Sequence, residues 1–194
     1  MNTTLAPTET LAESRRLIAT LEQLRGDLPF ADELLAAHIP RQHELEQTYA
    51  RSEQAVAAWR AALARRWECE VAGRRLYKRT LRRLIEQHGG EHAPAVQLLS
   101  RGGAEADSTP SELLADLRRL LAAASVAGER QDEIAHSCTA LEAAIGNAAR
   151  CETERRNAVI DHRLASEAYR RTRAETQQRL GAYYGERMPE LFAE

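Results

Sequence analysis

The chain has 194 residues, of which 43% are hydrophobic, 29% charged and only 5% aromatic, with a formal net charge of −2. That is enough for one sizeable core or two small ones, and the shortage of aromatics argues for helices over a β-rich core. Three cysteines without metal-ligand spacing exclude a disulfide-stapled scaffold, and no apolar run approaches membrane-spanning length.

In chain order, the first element is a helix over about 9–25, opened by Pro7, with Thr8 as N-cap and acids in the first turn. A turn follows at "GDLP". A short helix near 30–38 is expected to break at Ile39-Pro40. A long helix then covers about 41–88. Its apolar residues are Leu45, Tyr49, Val56, Trp59, Leu63, Trp67, Tyr77, Leu81, Leu84 and Ile85, at spacings that keep one face, and Gly73 is a point where it could bend. Unbroken, it would be roughly 70 Å long.

His88, Glu91 and His92 spell H-x-x-E-H, an inverted zinc-protease motif. That motif needs a regular helix, so that both histidines face one metal. Gly89 and Gly90 sit inside it and favour a helix stop, which is the reading adopted.

"SRGGAEADST", 100–109, reads as a Gly-rich linker. A helix over about 111–126, capped by Ser111, and a turn near Gly128 follow. A second long helix runs over about 129–181, with a thinner stripe of Ile134, Cys138, Leu141, Ile145, Ala148, Val159, Tyr169 and Leu180. Gly146-Asn147 is a candidate kink. Tyr183 and Tyr184 fall at the helix end, where they read as partly buried, with partner anchoring as the second reading. Cys69, Cys138 and Cys151 read as reduced, mostly buried thiols.

Four ordered matches point to an internal duplication. "PTETLAESRRLIA" (7–19) pairs with "PSELLADLRRLLA" (110–122), "RQHEL" (41–45) with "RQDEI" (130–134), "YKRT" (77–80) with "YRRT" (169–172), and "GEHAP" (90–94) with "GERMP" (185–189). In the second copy Tyr183 and Arg187 replace His88 and His92, while Gly, Glu and Pro are kept. The expected fold is therefore all-α. Two repeats of a short and a long helix, 1–99 and 110–194 joined by 100–109, pack as one elongated antiparallel helical bundle of coiled-coil character.

Residues 60–85 carry nine basic residues and two acids, net +7. Within them Arg75, Lys78, Arg79 and Arg82 form one stripe away from the Trp59–Leu63–Leu81 face. The bland reading is a solvated or internally paired face; the sharper one is a phosphate-tracking surface for nucleic acid. Glu133 and His136 form a single E-x-x-H, with Asp161-His162 further along the same helix, where a di-iron bundle needs two such pairs and two more glutamates. No nucleophile motif, phosphate loop or cofactor motif accompanies them. The functional expectation is a non-enzymatic interaction or scaffold protein, soluble and cytoplasmic, binding a protein partner or itself and using no cofactor or metal. A nucleic-acid-associated protein using the arginine stripe is the alternative, and a carboxylate/His metal-binding bundle the third reading.

Overall fold

Proline opens both short helices, where its missing N–H removes nothing from the ladder. Helix α1 spans Pro7–Gln23 and continues as a 3₁₀ turn, Leu24–Gly26; α2 spans Ala31–Gln87, α3 Pro110–Ala127 and α4 Gln131–Tyr184. The computed structural model describes residues 7–90, 92, 93, 96, 99, 109–127 and 131–185, and no strand occurs among them. The protein is all-α. Most of the expected linker (100–108), the turn at Gly128, Glu91 and Arg187 lie outside the described residues.

The expected break at Ile39-Pro40 does not occur: α2 runs through Pro40. The reason is the spacing of its inward residues. Ala31, Leu34, Leu35, His38 and Leu45 are all buried on one helical face, so packing holds both sides of the proline in one helix. Pro40 itself and Ala36, whose carbonyl loses its amide donor, are exposed to water.

The N-cap of α3 is Thr109, not Ser111. Thr109 N and Oγ1 both donate to Glu112 Oε2, at 2.6 and 2.8 Å, and Glu112 N donates back to Thr109 Oγ1 at 3.3 Å. This is a capping box, and the Thr109 amide, then its hydroxyl, holds the Glu112 carboxyl below its ordinary pKa.

Two compact units divide the chain, and each draws helices from both sides of residues 100–109. Unit 1 joins Met1–Val56 with Glu154–Glu194. There α1 contributes Leu17, Ile18 and Leu21, the turn before α2 contributes Leu28, the start of α2 contributes Leu34 and Leu35, and the end of α4 contributes Leu180. A second cluster holds Leu11, Leu45, Ala165 and Tyr169.

Unit 2 is Ala57–Thr153. Its core takes Cys69, Leu76, Tyr77 and Leu84 from α2, Leu113, Leu117 and Leu120 from α3, and Ile134, Cys138 and Leu141 from α4. All three cysteines are free and buried. A smaller cluster of Ala62, Ala148 and Cys151 brings α2 and α4 together through small side chains.

Neither suspected bend point interrupts a helix. Gly73 is a point of close approach: a Cβ there would stand 3.2 Å from Leu117 Cδ1 and 3.5 Å from Leu113 Cδ2. Gly146 has open space around its Cα. Gly146→Ala should therefore raise stability by about 0.5–1 kcal/mol, the helical cost of glycine over alanine. Urea denaturation of both forms checks this, and a loss of stability would contradict the regular helix at that point.

Candidate functional site

The basic stripe lies in unit 2, on the solvent side of α2: Arg75, Lys78, Arg79 and Arg82 are all exposed. It is partly neutralised from within the unit, because Arg79 is paired with Glu133 of α4. One turn or more upstream, Arg65 pairs with Glu68 and Arg66 with Glu70, each at 3.0 Å. The exposed Arg79–Glu133 and Arg65–Glu68 pairs contribute little stability, and all three pairs reduce the field available to a phosphate backbone.

That pair also engages the carboxylate of the E-x-x-H. Glu133 and His136 line an open groove of about 390 Å³ in unit 2, together with Arg65, Glu68, Cys69 and Ser137. Among the described residues no three His, Cys, Asp or Glu side chains converge closely enough to hold a metal ion. Ala72, Leu76 and Ala140 give the groove an apolar lining, and on its rim Arg65 and Glu68 pair with each other and Glu133 with Arg79. Burial holds the neighbouring Cys138 thiol above its usual pKa, so it is no thiolate at neutral pH.

His88 stands just past the end of α2, its amide still bonded to Leu84 O at 3.0 Å. The chain then turns through Gly89 at φ +79° and Gly90 at φ +136°, with Gly90 N bonded to Ile85 O. His92 follows in a turn. The two histidines thus do not share a helical face, and the stretch is a glycine helix stop. Gly185 also has positive φ, +55°, just past the end of α4.

Unit 1 holds two features the sequence reading missed. The first is His38, fully buried between helices. Its Nε2 meets Thr176 Oγ1 at 2.8 Å, its ring stands edge-on to Tyr169 at 6.0 Å, and burial pulls its pKa down to about 4. His38 Nδ1 and the Tyr169 hydroxyl are both buried without a hydrogen-bond partner among the described residues. Burial, then the Glu13 carboxylate, raises the Tyr169 pKa, against the opposing Arg173. Nearby, His162 Nδ1 meets Thr48 Oγ1 at 3.2 Å, and burial lowers its pKa too.

The second feature is apolar and faces out. Val159, Ile160 and Leu164 on α4 are 43, 53 and 57% exposed. Val159 had been placed in the buried stripe. The stripe instead passes through Cys151, Ala158, His162, Ala165, Tyr169, Thr176 and Leu180, at steps of three or four or their sum, and takes small or polar residues inward there. Trp67 is likewise 66% exposed, because the inward line of α2 runs through Ala62, Arg66, Cys69 and Gly73. Trp59, Leu63 and Leu81 pack at core edges and are partly buried. Tyr183 is 49% exposed and edge-on to Phe30 at 5.4 Å, while Tyr184 packs on the unit 1 core.

No described helix is long and apolar enough to cross a membrane. The chain matches no family model, no curated protein and no solved structure.

Proposed function

We propose that this chain is a non-enzymatic helical interaction protein that works through the outward face of α4 in unit 1. The observation that carries the reading is the exposed Val159–Ile160–Leu164 patch. Three large aliphatics stand in water on a helix whose inward line uses Ala158 and Ala165. Apolar groups arranged in this way on a rigid helix suit burial against a partner.

The scaffold behind the patch we read as a duplicated short-plus-long helix pair, with the long helices antiparallel and in coiled-coil-like contact. Contact order supports this within each unit. In unit 1 Phe30 meets Tyr183, His38 meets Thr176 and Thr48 meets His162. In unit 2 Ala62 clusters with Ala148, Gly73 approaches Ser137 and Arg79 meets Glu133. The repeat supports it too. Leu11, Leu45 and Tyr169 cluster in unit 1, and their sequence counterparts Leu114, Ile134 and Tyr77 share the unit 2 core.

Exposure of Arg75, Lys78 and Arg82 favours nucleic-acid binding as the second reading. One experiment separates the two. The native chain and the Ile160→Glu/Leu164→Glu variant are isolated side by side, and what each retains is measured. Protein retained by the native chain and lost by the variant is expected. Retention of nothing by either would sink the interaction reading. Tight binding to DNA or RNA at about 150 mM salt, where surface charges are screened within roughly 8 Å, would put the arginine stripe in its place.

A further inference from the structure

We propose that the outward side of α2 in unit 2 binds single-stranded nucleic acid, with Trp67 as its base-stacking group; this rests on and narrows the nucleic-acid reading above, and does not involve the α4 patch of unit 1. The argument begins with placement on the helix. Arg60, Trp67, Arg75, Lys78 and Arg82 are separated by seven, eight, three and four residues, so they stand on one side of α2. All five are exposed, Trp67 by 66%. The inward side of the same stretch runs through Cys69, Gly73, Leu76 and Leu84, all buried, so the five residues face away from the unit 2 core. From Arg60 to Arg82 the line is roughly 33 Å long.

Charge along this line has one sign. The two acids of residues 60–85, Glu68 and Glu70, stand to either side of it and pair with Arg65 and Arg66, each at 3.0 Å. Arg79, beside Lys78, pairs with Glu133. Among the described residues, Arg60, Arg75, Lys78 and Arg82 have no ion-pair partner, and a row of such cations suits a polyanion. Trp67 decides which kind. In a duplex the bases stack on one another, and a convex helix side meets only the backbone. A single strand has bases free to lie on the exposed indole while its phosphates meet the cations to either side. A lipid surface fits less well. Beside Trp67 the line offers only Ala64 and half-buried Val71, where an interfacial helix presents a broad apolar face.

The test is fluorescence anisotropy of a labelled oligothymidylate of about ten nucleotides, a length within the usual footprint of single-strand binders, titrated with the full chain. Neutralising four phosphates of a single strand gives a logarithmic salt slope of about −3, so affinity should fall about twentyfold between about 50 and 150 mM salt. Only weak binding then remains at the upper end, and the α4 reading is not displaced. Trp67→Ala should weaken binding by at least about fivefold, the loss of one stacked base, with the salt slope and the helical circular dichroism unchanged. Arg75→Ala with Arg82→Ala should instead lower the slope by roughly half. Tryptophan fluorescence should be quenched by the oligonucleotide in the wild type and not in Trp67→Phe, where Trp59 is the one tryptophan left. A duplex of the same length should bind less tightly and be indifferent to Trp67→Ala.

Absence of binding at about 50 mM salt, where charge attraction is strongest in this range, overturns both the inference and the nucleic-acid reading it narrows. Binding that Trp67→Ala leaves unchanged, or a duplex bound as tightly as the single strand, overturns the inference and leaves the nucleic-acid reading standing. Trp67-dependent binding to vesicles of phosphatidylserine and phosphatidylcholine, with none to the oligonucleotide, would give this side of α2 to a lipid surface instead.

Discussion

Replacing Tyr77 with alanine should cost about 3–5 kcal/mol, the usual range for deleting a buried aromatic ring. Tyr77 is 2% exposed, and its ring lies in the cluster formed by α2, α3 and α4. Its hydroxyl donates to Leu99 O at 2.9 Å, which ties the stretch beyond α2 back onto the helix. Burial, then the nearby Asp116 carboxylate, raises the phenol's pKa above its ordinary value, against the opposing Arg119. Tyr77→Phe separates the two contributions: it keeps the ring and leaves a buried carbonyl without its donor, at about 1–3 kcal/mol. Trp67→Ala, at a 66% exposed position, should stay within about 0.5 kcal/mol. Equilibrium urea unfolding of the three variants decides the matter. A Tyr77→Ala effect as small as that of Trp67→Ala would mean the unit 2 core is not assembled around this ring.

Stability should fall steeply in mild acid because of His38. Its pKa is lowered in the folded state to about 4, from 6.5. A histidine with a depressed folded pKa is neutral in the native protein and charged once unfolded at intermediate pH. Its full contribution is present above pH 6.5 and is lost as pH falls towards 4, amounting to about 3 kcal/mol. The loss has a clear physical origin. Protonating Nδ1 would place a charge at a site with no acceptor, beside the Tyr169 ring and the Thr176 hydroxyl. Denaturation of wild type and His38→Leu at intervals between pH 7 and 4.5 measures the effect. The difference between the two slopes isolates His38 from His162, whose pKa is also lowered, and from the carboxylates. Parallel pH profiles would show that His38 titrates normally and that its burial is relieved by local opening.

The helices were legible because their signals are local. Proline starts, glycine stops and long proline-free spans placed all four to within a few residues, with α2 divided at Pro40. Which residues face inward was less legible, because size was taken as the guide. Trp67 and Val159 are large, and they point to water; Ala62, Ala148 and Cys151 are small, and they bring the long helices together, while Gly73 makes room for Leu117 and Leu113 of α3. Where helices approach closely, steric room decides, and the three-and-four spacing outranks side-chain hydropathy. His38 escaped notice for a related reason: a lone histidine before Ile-Pro reads as the end of a short helix, and its burial follows only once the helix continues. The basic stripe was visible in composition. Its pairing with Glu133 was not, since that acid lies 54 residues away.

The division of the chain has a consequence for the order in which it can assemble during synthesis. Unit 2 is one uninterrupted stretch, Ala57–Thr153, so all of its contacts can form once that stretch has left the ribosome. Unit 1 draws on both chain ends, and its His38–Thr176 contact spans 138 residues. Its first 56 residues can bring Leu17, Leu21, Leu34 and Leu35 together at once, but their cluster stays open on the side of Leu180, and His38 lacks Thr176, until residue 180 has been made. At roughly 5–20 residues per second that interval lasts several seconds, far longer than helix formation takes. The N-terminal third is thus the part of the nascent chain most open to chaperones and to aggregation, and the last helix to be translated is the one that closes it.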